Sequence, residues 1–257
     1  MLDAFTEERF KGNNAAVVIT TEWLTESLMQ AIATENNLSE TAFVVQSASG
    51  CYHIRWYSPM TEIAFCGHAT LAAAYVIFTK MPELQSLQMS AKAVGEFTVS
   101  LQASGFIEMN FPNTKPVVCE STPKALLEGL SIQPAQVLIN DQAYFAIYPR
   151  QADVFDLKQN NDLLKTLAPY DVVVTAPGEQ YDFFSRYFWP ANGGDEDPVT
   201  GSIHTGLAPF WAEQLNKTAL VAYQASKRGG ELFCRVEKER VFIAGKVVPY
   251  LEGVITL

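Results

Sequence analysis

A faint internal repeat is the feature of this sequence that most constrains its fold. Residues 55–59 read Arg-Trp-Tyr-Ser-Pro, and Cys-Gly-His-Ala-Thr at 66–70 precedes an apolar run. Residues 186–190 read Arg-Tyr-Phe-Trp-Pro, and Asp-Pro-Val-Thr-Gly-Ser at 197–202 precedes another. Each copy indicates a strand, a loop, a turn of small residues and a buried helix. The repeat predicts two similar domains whose helix N-termini face one cleft, where unpaired N–H groups and positive dipole ends favour an anionic small molecule.

Size, charge and cysteine usage narrow the class of protein. The chain has 257 residues, of which 48% are hydrophobic and 18% charged, a composition typical of one or two globular domains. A net charge of −10 with scattered basic residues argues against nucleic-acid binding. We find no membrane-spanning run and no signal peptide at the N-terminus. Four separated cysteines and three separated histidines predict a cytoplasmic protein with reduced thiols and no metal site.

The secondary-structure pattern favours an α+β fold. Helices are predicted at 26–36 behind the N-cap Thr25, at 67–80, and at 202–216 with Pro209 inside it. The strands do not alternate regularly with helices, which argues against a doubly wound sheet. A polar, Pro-containing break at 113–116 divides the chain into predicted domains 1–112 and 117–244. The predicted strands are 41–46, 51–57, 95–101 and 106–111 in the first half, and 135–140, 143–148, 171–176 and 182–188 in the second.

Two ionisable residues of the first half are candidates for proton chemistry. Glu40 lies between a predicted helix and an apolar strand, where partial desolvation shifts a carboxyl pKa towards neutrality. The alternative is a solvated loop acid. His68 lies at the start of the most apolar helix, whose positive dipole end favours a neutral imidazole. The alternative is a core histidine bonded to backbone. The same dipole would favour the thiolate of Cys66, although a simple buried cysteine is the more frequent case.

The segment 196–202 is the sharpest local motif. Pro198 excludes the helical region for Asp197 and so breaks the chain before the turn. Residues 200–202 then offer hydroxyl and N–H groups at a predicted helix start, which is an anion cradle without the lysine of phosphate loops. An ordinary capped helix is the alternative. Two explanations stay open for the amide of Asn13, in a predicted tight turn: turn chemistry, or a place in the cleft.

Taken together, the motifs resemble a known family. They are Asp-Ala-Phe-Thr at 3–6 with Gly12-Asn13, Leu-Ser-Glu-Thr at 38–41, the segments 66–70 and 196–202, and Gln-Ala-Ser-Lys-Arg-Gly-Gly at 224–230. Five motifs in this order resemble the PhzF-like isomerases of phenazine biosynthesis, which share the diaminopimelate epimerase fold. The resemblance extends from residue 3 to about residue 232. One departure is Asn14, where many relatives have proline, and it leaves the substrate open.

The resemblance implies both architecture and activity. We expect two pseudo-symmetric domains, each a curled, mostly antiparallel, barrel-like sheet around a central helix, with the site in the cleft between them. The last strand, at about 245–257, is expected to return to the N-terminal domain. Family members usually form homodimers. The implied activity is a cofactor-independent isomerisation that moves a proton between carbons of a small carboxylate-bearing metabolite.

Residue roles follow by motif from the same resemblance. Glu40 is the expected acid and base, while His68 and Asp197 orient and polarise the substrate. The groups expected to bind the substrate are Ser202 and the N–H groups around Gly67 and Gly201, which hold its carboxylate, together with Asn13.

Two other functions stay open from the sequence. The first is an epimerase or racemase of amino acids that uses two cysteine bases, with Cys66 as one of them. The second helix start offers Thr-Gly-Ser at 200–202 and no opposed thiol, which argues against this reaction. The second alternative is a non-catalytic member of the fold that binds a metabolite or a protein partner.

Overall fold

The computed structural model describes residues 1–257, and the chain forms two compact units. Unit 1 comprises Met1–Asn110 and Ala244–Leu257, and unit 2 comprises Phe111–Ile243. Eighteen strands and six α-helices make the fold α+β with a mixed sheet, so the α+β part of the predicted fold class is confirmed. No helix has both the length and the apolar character needed to cross a membrane.

Unit 1 is built mainly from strands around one long buried helix. Its helices and strands are β1 (Leu2–Ala4), β2 (Asn13–Thr20), α1 (Glu26–Asn36), β3 (Glu40–Gln46), β4 (Tyr52–Tyr57), β5 (Glu62–Ile63), α2 (Gly67–Lys80), β6 (Ser86–Ala91), β7 (Gly95–Leu101), β8 (Ile107–Pro112) and β18 (Val247–Pro249). Strand β2 pairs with β1 antiparallel and with β3 parallel. Strand β4 pairs antiparallel with β3 and β5 and parallel with β6, and β6 pairs antiparallel with β7.

The end of the chain belongs to unit 1. Strand β18 pairs antiparallel with β1, and Leu2 lies opposite Pro249. The N–H groups of Tyr250 and Leu251 both donate to the Met1 carbonyl, at 3.0 and 3.1 Å. These backbone bonds hold the two termini together.

Unit 2 shows the same order of strand pairing. Its elements are β9 (Val117–Val118), α3 (Lys124–Gly129), β10 (Gln136–Ile139), β11 (Ala143–Ile147), α4 (Gln151–Asp156), α5 (Asn161–Leu164) with a 3-10 turn (Lys165–Leu167), β12 (Asp171–Pro177), β13 (Phe183–Trp189), β14 (Gly194–Asp197), α6 (His204–Leu215), β15 (Ala219–Gln224), β16 (Gly230–Glu237) and β17 (Arg240–Gly245). Strand β12 pairs parallel with β11 and antiparallel with β13. Strand β13 pairs antiparallel with β14 and parallel with β15, and β15 pairs antiparallel with β16.

Local sequence accounts for the helices of unit 1. Helix α1 begins after Thr25, whose hydroxyl accepts the Leu28 N–H at 3.3 Å, and it ends at Asn37 in the left-handed region. Its buried Met29 and Ile32 pack with Phe43 of β3, which fixes the strand that begins at Glu40. Helix α2 is buried on nearly all sides because its sequence is almost wholly apolar. Both helices have the predicted bounds.

The third predicted helix begins two residues later than expected. Helix α6 starts at His204, and a tight turn precedes it. The N–H of His204 donates to the Gly201 carbonyl at 3.2 Å, and the N–H of Thr205 donates to the Ser202 carbonyl at 3.1 Å. Each of these hydrogen bonds joins an N–H to the carbonyl three residues earlier, whereas an α-helix joins it to the carbonyl four residues earlier. Residues 201–203 therefore form a turn tighter than an α-helix. Pro209 lies inside α6, as the sequence requires.

Candidate active site

Unit 1 brings Glu40 and His68 into contact. Glu40 is the first residue of β3 and lies opposite Ala15 of β2. His68 lies in the first turn of α2. Glu40 Oε2 lies 3.0 Å from His68 Nε2, and the two side chains are only 6% and 4% exposed. The two groups form a buried ion pair when His68 is protonated, and Oε2 accepts a hydrogen bond from no other group. A carboxylate buried with a single partner is typical of functional sites.

The other ring nitrogen of His68 faces a polar chain. Asn13 Nδ2 lies 3.1 Å from His68 Nδ1, and the Ser39 hydroxyl donates to Asn13 Oδ1 at 3.2 Å. Because Asn13 Oδ1 accepts from Ser39, its Nδ2 is the atom that donates to the ring. A neutral imidazole in this network carries its proton on Nε2, which faces Glu40. Ser39 and Asn13 therefore set the tautomer of His68.

Cys66 adds a third group to this cluster. Its Sγ lies 3.4 Å from His68 Nδ1 and 3.9 Å from Nε2, and Cys66 is buried. The Thr70 hydroxyl donates to the Cys66 carbonyl at 2.6 Å, which fixes the first turn of α2. The ligand atoms of Glu40, Cys66 and His68 all lie within 4.8 Å of one another. We name these three residues the Glu-Cys-His cluster.

Burial and charge shift the pKa values of this cluster. Burial alone would lower the pKa of His68, but the neighbouring Cys66 and Glu40 outweigh it and raise that pKa well above its ordinary value. Burial raises the pKa of the Cys66 thiol to about 11, against the opposing effect of His68. The thiol is therefore neutral at pH 7.

These shifts bear on two expectations. The helix dipole was expected to keep His68 neutral, and the raised pKa of His68 makes that direction wrong. For Cys66, the raised pKa agrees with the simple buried cysteine and not with a favoured thiolate. The pKa of His68 is raised by Cys66 and by Glu40, and the local sequence does not reveal the contact with Glu40.

In unit 2, Asp197 is held by a buried network. It is the last residue of β14 and is buried. The Thr200 hydroxyl donates to Asp197 Oδ2. Gln224, which is fully buried, donates from Nε2 to the Asp197 carbonyl at 2.8 Å and accepts the Thr200 N–H at 2.9 Å. The N–H of Thr200 is thus occupied, and the prediction that it is free for an anion is wrong.

The hydroxyl of Ser202 is oriented by a residue that the sequence analysis missed. Gln142 donates from Nε2 to Ser202 Oγ and to Tyr187 Oη, each at 2.9 Å. Tyr187 in turn donates to Asp171 Oδ2 at 2.5 Å. Because Ser202 Oγ accepts the Gln142 hydrogen, its own hydrogen is available to an acceptor such as a carboxylate. Burial, and then the charge of Asp171, raise the pKa of Tyr187 well above its ordinary value, so this hydroxyl stays protonated.

The remaining predicted groups stand at or near helix starts. Gly67 is the first residue of α2 and is buried. Gly201 lies in the turn before α6 and is also buried. First-turn amides of a helix have no partner within the helix, so the position of Gly67 suits an anion.

His204 packs in the interior behind the turn that carries Gly201 and Ser202. It is fully buried, its Nδ1 donates to the Thr200 carbonyl at 2.8 Å, and its Nε2 has no hydrogen-bond partner. Its ring stacks on Phe183, with 5.8 Å between centroids. Burial lowers the pKa of His204 to about 4, so the ring is neutral at pH 7. It supports the turn that carries Gly201 and Ser202.

Comparison with known proteins identifies the family. The profile of the family described as phenazine biosynthesis-like protein matches residues 2–253. An uncharacterized isomerase of Pseudomonas aeruginosa is 44% identical over 256 residues, which are 100% of this chain and 97% of that protein. The crystal structure of a PhzF-family phenazine biosynthesis protein from Enterococcus faecalis has a TM-score of 0.94 and 38% identity, and covers 100% of this chain and 97% of that one.

A more distant structure shows how far the fold extends. A probable proline racemase from Agrobacterium radiobacter, solved with bound carbonate, has a TM-score of 0.62 at 11% identity, and covers 100% of this chain and 92% of that one. At this identity the likeness concerns the fold alone. The match to the family profile and to the close relatives decides the assignment: the chain belongs to the phenazine biosynthesis-like, or PhzF, family.

Proposed function

We propose that this protein is a cofactor-independent isomerase that moves a proton between carbons of a small carboxylate-bearing metabolite. Glu40 is the acid and base. The observation that carries the proposal is the buried Glu40 carboxylate, whose Oε2 lies 3.0 Å from His68 Nε2 and has no other hydrogen-bond partner. Relatives that are named isomerases support the reaction class.

In the proposed reaction, Glu40 removes a proton from one substrate carbon and later gives a proton back to another. Glu40 accepts a proton from one substrate carbon, so a C–H bond breaks and an O–H bond forms. The electron pair enters the conjugated system of the substrate. The O–H bond then breaks as a C–H bond forms at another carbon, and the double bond ends in a new position. A carboxylate that is fixed and shielded from water suits this transfer.

His68 supports the shuttle, but it does not itself carry the proton that moves between the substrate carbons. A proton on Nε2 faces Glu40 Oε2 and stabilises the carboxylate before and after the transfer. Asn13 and Ser39 hold the ring in place from its other side. If the substrate leaves the contacts of Ser39, Asn13 and His68 intact, the Glu40 carboxylate is already oriented when the substrate binds.

We propose that unit 2 supplies groups for substrate binding. Ser202, with the amide of Gly201, binds the carboxylate, and Asp197 orients the substrate. The support within unit 2 is the available hydrogen of Ser202 and the hydrogen bonds that fix Asp197 between Thr200 and Gln224. Gly67 has the corresponding role at the start of α2.

We also infer that the two units are structural repeats, each a curled, barrel-like sheet around its long helix. The support is the shared order of parallel and antiparallel pairs from β2 to β7 and from β11 to β16. Arg55 of β4 pairs with Glu62 of β5 at 2.6 Å, and Arg186 of β13 pairs with Glu196 of β14 at 2.7 Å. Matching ion pairs at matching places favour a duplicated unit.

A cysteine-dependent epimerase is the second candidate, because Cys66 Sγ lies in the same cluster as Glu40. A thiol pKa of about 11 makes Cys66 a poor base at pH 7, and the start of α6 has no cysteine. The two reactions differ in the base. Loss of exchange in Cys66→Ser with exchange kept in Glu40→Gln would favour the epimerase.

The proposed function is tested by hydrogen exchange with solvent. The protein is incubated in heavy water with a panel of small cyclic carboxylates and amino acids, and mass spectrometry reads the products. An isomerase incorporates deuterium at carbon and yields a product with a moved double bond. An epimerase incorporates deuterium at a stereocentre, with no moved double bond. Binding in the absence of any deuterium incorporation would make the protein a non-catalytic member of the fold.

A further inference from the structure

Asp171 stands at the end of a chain of hydrogen bonds that reaches Ser202. It is the first residue of β12, and its Oδ2 accepts the hydroxyl hydrogen of Tyr187 at 2.5 Å. Gln142 donates from Nε2 to Tyr187 Oη and to Ser202 Oγ, each at 2.9 Å. The backbone also joins the two strands here, since the Asp171 N–H donates to the Gln142 carbonyl at 3.1 Å. We name Asp171, Tyr187, Gln142 and Ser202 the serine relay.

Asp171 is the member of the serine relay that fixes its direction. An ionised carboxylate has no hydrogen to donate, so Tyr187 must direct its single hydrogen at Asp171. Tyr187 Oη can then only accept from Gln142, which turns the NH₂ of that amide, and not its carbonyl, towards Tyr187 and Ser202. Hydroxyl and amide groups can donate or accept, so the other three members would tolerate either direction.

Asn192 holds the Asp171 carboxylate in place. Its Nδ2 donates to Asp171 Oδ1 at 2.8 Å and to the Pro169 carbonyl at 3.3 Å. Burial raises the pKa of Asp171, while the hydrogen bonds from Tyr187 and Asn192 oppose this shift and favour the ionised form. Because Asn192 occupies Oδ1, an asparagine at position 171 would keep its carbonyl oxygen there and turn its NH₂ towards Tyr187.

We propose that Asp171 is a positioning residue that makes Ser202 a hydrogen-bond donor, and that it thereby sets the preference of this site for a carboxylate over a neutral carboxamide. The role of Ser202 in binding rests on the proposed function, whereas the direction of the relay does not. In Asp171→Asn the relay reverses, so Tyr187 and Ser202 both donate to Gln142 Oε1. Ser202 then presents lone pairs, which repel a carboxylate and accept a hydrogen from a carboxamide.

Nuclear magnetic resonance tests the direction of the relay without any substrate. The full chain is labelled with ¹⁵N-glutamine, and Gln142→Leu identifies the side-chain signal of Gln142. In the parent we expect nuclear Overhauser contacts between this NH₂ and the ring protons of Tyr187. Asp171→Asn should make them much weaker because the amide rotates, and Asp156→Asn should keep them. Asp156 is the matched control because it is an exposed acid at the end of α4.

Kinetics test the consequence at Ser202. With a carboxylate that the parent labels in heavy water, Asp171→Asn should raise KM about tenfold, with kcat changed less. The carboxamide of the same compound should inhibit Asp171→Asn at least as well as it inhibits the parent. Tyr187→Phe interrupts the relay, so adding Asp171→Asn to that variant should change KM little.

Several results would overturn the proposal. They are no contacts between Gln142 and Tyr187 in the parent, equal contacts in Asp171→Asn, or equal losses of affinity for carboxylate and carboxamide. A tenfold rise in KM on adding Asp171→Asn to Tyr187→Phe would also overturn it. Circular dichroism checks folding. If Asp171→Asn does not fold, Asp171→Ala replaces it, because it frees Tyr187 to donate to Gln142 and should weaken the same contacts.

The two readouts also separate this proposal from the proposed function. An amide that rotates in Asp171→Asn, in a protein that labels no carboxylate, refutes the isomerase and keeps the relay. A labelled carboxylate together with an amide that does not rotate refutes the relay alone.

Discussion

At the scale of single residues, the proposed function depends on side chains that orient other side chains. In unit 1, Ser39 and Asn13 fix His68, which faces Glu40. In unit 2, Gln142 orients the hydroxyl of Ser202. Such indirect contributions predict effects on binding and turnover that are separable from effects on stability.

Replacing Gln142 tests the orientation of Ser202. Gln142→Leu removes the donor to Ser202 Oγ, so the hydroxyl is free to rotate and binds the carboxylate less well. A lost hydrogen bond of about 1–1.5 kcal/mol predicts a KM about tenfold higher, with kcat changed less. Steady-state kinetics measure the split. Gln136→Leu, an exposed glutamine on β10, is the control. An unchanged KM in Gln142→Leu would contradict the role.

Asp197→Asn separates catalysis from stability. The amide oxygen of asparagine still accepts the Thr200 hydroxyl, and exchanging a charged for a neutral acceptor in one hydrogen bond costs only about 1 kcal/mol. We therefore expect slower turnover with a nearly unchanged melting temperature, measured by deuterium incorporation and by thermal denaturation. Loss of the folded state would instead make Asp197 a structural residue.

At the scale of helices and strands, local sequence determines some boundaries and misses others. Thr25 and the apolar residues 67–80 predict the exact bounds of α1 and α2. The predicted strands agree with the structure to within one residue at each end. Strand β6, with the sequence Ser-Leu-Gln-Met-Ser-Ala, was not predicted because it has no β-branched or aromatic residue.

Strand β2 was missed for a different reason. Its first residues, Asn13 and Asn14, suggest a turn, although the strand begins with them. The start of α6 was placed two residues early because the sequence does not distinguish a tight turn from a first helical turn. The motif Gln-Ala-Ser-Lys-Arg-Gly-Gly pointed to the family without revealing that Gln224 fixes Asp197 and Thr200.

The start of α6 gives a prediction about pH. The pKa of His204 is about 4 in the folded protein and has an ordinary value of 6.5 when unfolded. Between these values the unfolded chain binds one proton more than the folded chain. Stability from this group is therefore complete above pH 6.5 and falls as the pH drops towards 4. At about 1.4 kcal/mol for each pKa unit, the loss is about 3 kcal/mol.

His204→Asn measures that contribution. Asparagine keeps a donor near the Nδ1 position for the Thr200 carbonyl and does not titrate. The free energy of unfolding is measured in urea at pH 7 and at pH 4 for both proteins. Its decrease between the two pH values should be about 3 kcal/mol smaller in the variant than in the parent. Equal losses in the two proteins would show that His204 is not buried in its neutral form.

At the scale of the whole molecule, the sequence motifs were sufficient for the family and the fold class. They named Glu40, His68 and Asp197, and the structure buries all three. The Glu-Cys-His cluster and the network of Gln142, Tyr187 and Asp171 could not be predicted, since contacts between residues 16 to 45 positions apart depend on the folded chain.

The homodimer implied by the family resemblance stays a prediction at this scale. Light scattering on the purified protein should give twice the mass of one chain across a tenfold range of concentration. A mass of one chain at every concentration would contradict it.

Deuterium exchange in Glu40→Gln decides whether Glu40 is the acid and base. Glutamine keeps the size of the side chain and cannot accept the proton, while Glu35→Gln changes an exposed acid of α1 as the control. With a carboxylate that the parent labels in heavy water, we predict no deuterium at carbon in Glu40→Gln, full labelling in Glu35→Gln, and nearly equal melting temperatures in all three proteins. Labelling by Glu40→Gln at the parent rate would show that Glu40 is not the acid and base.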